Sequence, residues 1–277
     1  VKLNRFSFVF ILTLVYFFVE LFGGLHYNSL ALVSDAAFMA INIISQLVAM
    51  YVKKLSTKPP DRMKTFGYER ARVISGLFNG ILIGFMVFYV LTRAYDRIIK
   101  PEHLFVNQAF VIAVVGLLVN GYGVYQLYGD SKDIGTKGAY LFILNDALSS
   151  VGLIISYIMI KITGLYVFDA IASILIAVLV IYPTYFLVKD SLHILMEGIP
   201  SGIDLETVEK FIYENFNHAR KVKELHIWSL VPEKKILTVK IRTDGRDHDR
   251  ERIKSFKDRI KEKFDIQDVY IEVYEED

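Results

Sequence analysis

The sequence predicts an all-α membrane bundle of six helices followed by a small α+β domain of αββαβ order. Three observations carry that prediction. The chain is 53% apolar yet 22% charged, with a mean hydropathy of +0.38, a balance reached by segregating long apolar runs from a charged region. Six runs meet the length of about twenty residues that a bilayer-crossing helix needs, and none alternates in the manner of a barrel strand. After Val188 the residues become charged and patterned, so the predicted division is a membrane domain over 1–190 and a metallochaperone-like soluble domain over 191–277.

The spans run over Phe6–Leu25, Leu30–Val52, Val73–Tyr95, Phe105–Tyr128, Gly138–Ile162 and Ala170–Val188. No small-residue cleavage site follows the first, which therefore reads as a retained helix rather than a signal peptide. An even number of crossings puts both termini on one side. Lys and Arg mark it: KKLSTKPPDRMKTFGYERAR follows the second span, Lys132 and Lys137 lie between the fourth and fifth, and Lys2 and Arg5 precede the first. The opposite loops are poor in positive charge, Arg97 and Lys100 excepted. Both termini are therefore expected in the cytoplasm, with the chain a multi-pass protein of the cell (inner) membrane. In the soluble part, Leu205–Phe216 has helical periodicity with Asp204 as N-cap. Val222–Val231 and Lys235–Thr243 read as strands joined by a turn at Pro232–Lys234, Arg246–Phe264 as an amphipathic helix and Val269–Tyr274 as a last strand. So small a core favours pairing with a second copy.

Several function classes are excluded early. The absence of cysteine removes disulfides, thiolate metal sites and cysteine nucleophiles. A net charge of +2, with no basic helix interleaved with aromatics, argues against nucleic acid as a partner. There is no phosphate-cradling glycine loop, GxSxG or HExxH, so the chain is not expected to be an enzyme or to need an organic cofactor. Energy for any transport has to come from an ion gradient. The informative residues are Asp35, Asn42 and Gln46, which share one face of the second span. A carboxylate at membrane depth costs several kcal/mol unless it meets water, a partner or a cation. Two readings are open: a buried ion pathway, or hydrogen bonds to neighbouring helices.

A series of motifs runs through the chain. VELFGGLHYNSLALVSDAAFMAIN carries Glu20, Gly23, Gly24, Asn28, Ser29, Asp35 and Ala36, and FGYERARVISGLFNG carries Phe66, Gly67, Arg70, Ala71 and Asn79. NDALSSVG (Asn145–Gly152), Asp169 with Ser173, LMEGIP (Leu195–Pro200) and VKELHIWSL (Val222–Leu230) follow in order. Together they resemble the cation diffusion facilitator family of divalent-metal transporters over nearly the whole chain. The resemblance implies a homodimer of six-helix protomers that exports Zn2+ or a related divalent cation in exchange for protons. It also implies a mid-membrane site made by two ligands four apart on the second helix and two on the fifth. Residues at that spacing share a helix face, so two facing helices can offer four ligands to one tetrahedral ion. Proton exchange follows because such ligands shed protons to take metal and regain them to release it.

The chain departs from that pattern where it matters. The two second-helix positions hold Phe38 and Asn42, and the two fifth-helix positions hold Phe142 and Asp146. Phenylalanine offers a cation no lone pair. Three readings are open: a transporter in which Asn42 and Asp146 are supplemented by Asp35, Asn145, Ser149 or water; a transport-silent subunit that modulates a competent partner; or a membrane-anchored metal sensor. An oxygen-only site suits Mn2+ better than Zn2+ as substrate. Glu20 belongs to a proton route or to packing, and packing is the favoured reading because its family counterpart lies outside the four-ligand site; Asp169 reads as the N-cap of the sixth helix. In the loop after the second helix, Lys64 and Tyr68 stand where histidines are usual, so no metal is expected beside Asp61. The positive charges there set topology and meet anionic lipid. In the soluble domain His226, and His248 with Asp247 and Asp249, are candidates for a regulatory metal site. A packed strand histidine and a solvated turn are the alternatives, and Asp268 replaces a histidine usual near the last strand. Trp228 reads as a packing or dimer-contact residue.

Overall fold

A computed structural model describes residues 5–128, 134–216, 219–243 and 250–274. Eleven elements follow in order: α1 (Arg5–His26), α2 (Leu30–Ser56), α3 (Ala71–Ile99), α4 (Val106–Tyr128), α5 (Ile134–Thr163), α6 (Val167–Leu195), α7 (Leu205–Asn215), β1 (Ala219–Val231), β2 (Lys234–Thr243), α8 (Arg250–Phe264) and β3 (Asp268–Tyr274). Among the described residues, six helices are long and apolar enough to cross a membrane. Each predicted span lies inside one of them to within a residue. The helices also run past the apolar runs, as α2 does through Lys53 and Lys54, because long cationic side chains can keep their heads in water while their stems stay apolar. The protein is an integral, multi-pass membrane protein. The chain forms two compact units, Val1–Val48 with Phe78–Phe186 and Ala49–Leu77 with Leu187–Asp277.

In the first unit the core draws Leu32, Phe38 and Ile41 from α2, Ile83 and Val87 from α3, Ala109 and Ala113 from α4, and Leu153 and Tyr157 from α5. Large apolar side chains such as Phe85, Phe88, Leu118 and Tyr182 point outward, the surface that lipid covers. Close packing of α1 on α4 depends on Gly116. A Cβ at that position would lie 2.0 Å from the Tyr16 hydroxyl and 2.5 Å from its ring, and Tyr16 is buried and cannot swing aside. Gly116→Ala is expected to lower thermal stability in detergent by about 1–3 kcal/mol, as overpacking does.

One buried clasp ties the α1–α2 turn to α3, α5 and α6. Asn28 turns the chain with φ of 58°. The Asp169 carboxylate accepts from the Ser29 hydroxyl at 2.6 Å and from the Leu30 amide at 2.7 Å, and the Ser29 hydroxyl meets that of Tyr157 at 2.7 Å. Arg97 donates to the Asn28 carbonyl at 2.7 Å and to Asp169 at 3.3 Å, with Glu102 at 3.2 Å. Asp169 therefore caps α2 and not, as expected, its own helix. It lies inside the first turn of α6, which begins at Val167, and a buried arginine and a free amide of another helix compete for its oxygens. The same contacts give Arg97 a role in the fold, as the ion-pair partner of Asp169 and Glu102.

The second unit holds a three-stranded sheet of order β1-β2-β3, with β1 antiparallel and β3 parallel to the central β2. One face carries Ile227, Leu237, Val239 and Ile241 against Val208, Phe211 and Ile212 of α7 and Phe256 and Ile260 of α8. Asp204 caps α7, accepting from the Thr207 amide at 2.9 Å. Pro232 and Glu233 make the β1–β2 turn. Three ion pairs join the α2–α3 loop and the start of α3 to the soluble part: Arg70–Glu197 at 3.0 Å, Arg72–Glu233 at 3.2 Å and Glu69–Lys234 at 3.2 Å.

Within that loop the Asp61 carboxylate is already engaged. It accepts from the amides of Met63 at 2.8 Å and Lys64 at 2.7 Å and from the Tyr68 hydroxyl at 2.6 Å. The Tyr68 hydroxyl first, then the two amides, hold this carboxyl below its ordinary range. A depressed folded pKa means that the bonds contribute fully above the usual carboxylate pKa near about 4 and are lost as pH falls through the lower folded value. Protection of the Met63 and Lys64 amides, relative to their intrinsic exchange rates, is expected at neutral pH, should fall in acid, and should be absent at all pH in Asp61→Ala.

Candidate transport site

Polar side chains reach membrane depth on α1, α2, α4 and α5, each because one turn of an otherwise apolar helix carries an exception. Asn42 and Gln46 of α2 and Asp146 of α5 line one cavity, closed by Thr13 of α1, Met39 and Leu127. The cavity measures about 40 Å³, and a single water needs roughly 10–15 Å³ by this measure. Asp146 is 6% exposed. Ser45, one residue before Gln46, bonds the Ile41 carbonyl at 2.7 Å and also Asn79 of α3, which fixes this part of α2.

The four positions that the resemblance singled out do not converge as a set. Asn42 and Asp146 share the cavity, whereas Phe38 is buried in the apolar core with Ile83, Val87 and Leu153. The side chain of Phe142 lies outside the described residues. Asn145 is half-buried and does not line the cavity. Asp35, 2% exposed, stands beside the carboxyl of Glu20 and the hydroxyl of Ser149, on the α2 face that continues to Asn42. Among the described residues no group of three or more His, Asp or Glu side chains is arranged to hold a metal ion directly. Sequence reasoning set Glu20 aside as packing and passed over Asn120, whose Oδ1 is buried without a partner. The usable signal was each residue's polarity inside an apolar span, which demands a partner.

The architecture of six membrane-length helices followed by an αββαβ domain agrees with family comparison. Residues 7–196 match the family model described as the cation efflux transmembrane domain, and residues 200–275 that of the cation efflux protein cytoplasmic domain. The chain belongs to the cation efflux, or cation diffusion facilitator, family. Its relatives include the cation efflux system protein CzcD of Alcaligenes sp. strain CT14, 36% identical over 94% of this chain and 83% of that protein. The cadmium, cobalt and zinc/H(+)-K(+) antiporter of Bacillus subtilis is 36% identical over 80% of this chain and 72% of its own length. The zinc transporter ZitB of Escherichia coli is 31% identical over 89% and 79%. Members of the family move ions and are not enzymes; cation efflux is the activity that membership carries.

The soluble candidates stand apart from this. His226 is exposed in a groove of about 280 Å³ with Thr238, Tyr270, Glu224 and Glu272. Those two glutamates are engaged by Lys240, at 2.9 Å and 3.7 Å; contact with Glu224 first, then Glu272, raises the lysine's pKa. His248, with Asp247 and Asp249, lies outside the described residues. Trp228 is half-buried and pairs across the sheet with Ile236.

Proposed function

We propose that the chain exports a divalent metal cation (Zn2+, Mn2+ or Fe2+) by antiport with protons, through the cavity shared by Asn42 and Asp146. The observation that carries this reading is the meeting of an amide and a carboxylate from helices two and five around one membrane-depth space. Asp146 supplies charge and a proton-exchangeable group, Asn42 a neutral carbonyl oxygen, with Asp35 and Asn145 as reserve oxygens. Because every donor is oxygen, the site favours harder ions such as Mn2+ over Zn2+. The names of relatives, which speak of zinc, cobalt, cadmium and protons, support a divalent substrate and proton coupling.

The burial of Phe38 in the core speaks for transport over the silent-subunit reading, since that ring fills no part of the cavity. We take the membrane domain as 1–190 and the metallochaperone-like domain as 191–277, with both termini cytoplasmic and the second domain pairing two copies into a homodimer. Flux of Mn2+, Zn2+, Fe2+ and Co2+ into proteoliposomes, with and without a pH gradient, tests the reading. Metal uptake that accelerates with the gradient is expected, with Mn2+ favoured. No metal-dependent flux under any condition removes the transporter and leaves the modulatory subunit or the sensor.

A further inference from the structure

Glu20 is fully buried in α1. One of its oxygens accepts a hydrogen bond from the Tyr16 hydroxyl at 3.2 Å, while the other, Oε2, has no partner among the described residues. Beside it stands the Asp35 carboxyl of α2, whose Oδ2 is equally buried and unpartnered. Asp146 of α5 adds a third negative group within electrostatic range. Among the described residues, no lysine, arginine or histidine acts on Asp35 or Asp146.

Ser149 decides what this cluster is for. A hydroxyl in a membrane helix ordinarily bonds the carbonyl one turn earlier, as Ser34, Ser45, Ser150 and Thr184 all do here. The Ser149 hydroxyl lies beside Asp35 instead, 1% exposed, with no hydrogen bond of its own among the described residues. Packing alone does not leave three neighbouring buried oxygens unbonded, because each forfeits its hydration for nothing. Oxygens of two carboxyls and a hydroxyl, gathered with only the Tyr16 and Ser149 hydroxyls as donors, suit a cation.

On the reading that Asp146 lines the ion path, we propose that Glu20, Asp35 and Ser149 form a second cation subsite, for a hard, partly hydrated divalent ion, about two turns of α2 from Asn42. The carboxylates neutralise the charge of the ion, Ser149 adds a neutral oxygen, and water completes the shell, since hard ions keep several waters. A hydrated ion needs fewer than three acidic ligands at one point, in keeping with the absence of such a triplet among the described residues. Glu20 thereby adds a carboxyl to a path whose described cavity is lined by that of Asp146 alone.

Mn2+ binding to the full chain in detergent, followed by electron paramagnetic resonance, tests the subsite apart from flux. Glu20→Gln keeps the size of the side chain and should weaken Mn2+ by about tenfold or more. Ser149→Ala removes a hydroxyl that has no hydrogen bond within 3.5 Å among the described residues, so it should fold normally, and should weaken Mn2+ by about threefold. Tyr16→Phe removes the hydrogen bond but keeps the carboxylate, and should leave affinity near native. Native affinity in both Glu20→Gln and Ser149→Ala overturns the subsite. So does an equal loss in Tyr16→Phe and Glu20→Gln, which marks Glu20 as a packing group, and so does a native chain that binds no Mn2+. Asp146→Asn separates this inference from the reading beneath it: native flux there, with Mn2+ binding defective in Glu20→Gln, removes the Asn42–Asp146 path and leaves the subsite standing.

Discussion

Asp146→Asn is expected to reduce metal-dependent flux in proteoliposomes to that of protein-free vesicles, with expression and thermal stability unchanged. Asn keeps the shape and an acceptor oxygen but loses the charge and the exchangeable proton. In a membrane interior a divalent ion cannot be held by neutral oxygens from a single amide and water without a large desolvation cost. If Asp146 were a structural group, it would be bonded across helices, and its loss would destabilise the bundle. The structure argues against that, since the carboxyl makes no hydrogen bond or ion pair among the described residues; only its backbone carbonyl is used, by Ser150 at 3.0 Å. A mutant that unfolds at lower temperature yet transports at the native rate per folded molecule would reverse the assignment.

How much of this was legible in the sequence depends on the range of the forces involved. The six spans, the Asp204 cap and the turn expected at Pro232–Lys234 are written in local composition, and the structure keeps them to within a few residues. The pairing of Asn42 with Asp146 around one cavity could be expected only because helical spacing and family likeness pointed to the same two helices. Asp169 shows where local reading fails. Its position suggests a cap for α6, and only the fold reveals that Arg97, 72 residues away in sequence, and the free amide of Leu30 claim its oxygens. Glu20 is a related case, since nothing in its own helix announces Asp35 as a neighbour. Polar residues at membrane depth mark where something must be satisfied; which partner satisfies them is a tertiary fact.

The clasp at Asp169 carries the largest expected effect on stability. Asp169→Ala should lower the stability of the membrane bundle by about 3–5 kcal/mol, the usual cost of removing one partner of a buried charge pair. Arg97, whose side chain is only 19% exposed, would keep Glu102 as its remaining carboxylate, and that side chain is 57% exposed and reaches it at 3.2 Å. The Leu30 amide and the Ser29 hydroxyl would lose acceptors at 2.7 Å and 2.6 Å in the same step, leaving the first turn of α2 with unmet donors. Asp169→Asn separates the two contributions, because an amide oxygen can still cap Leu30 but cannot neutralise Arg97. Chaotrope or thermal unfolding in detergent should rank native above Asn above Ala, with flux per folded molecule near native in both variants. Equal losses for the two variants would assign the whole effect to charge. No shift in either would show that α2 holds its place through apolar packing alone, with Ala31 and Leu32 of its first turn anchored in the core and the ion pair incidental to the fold.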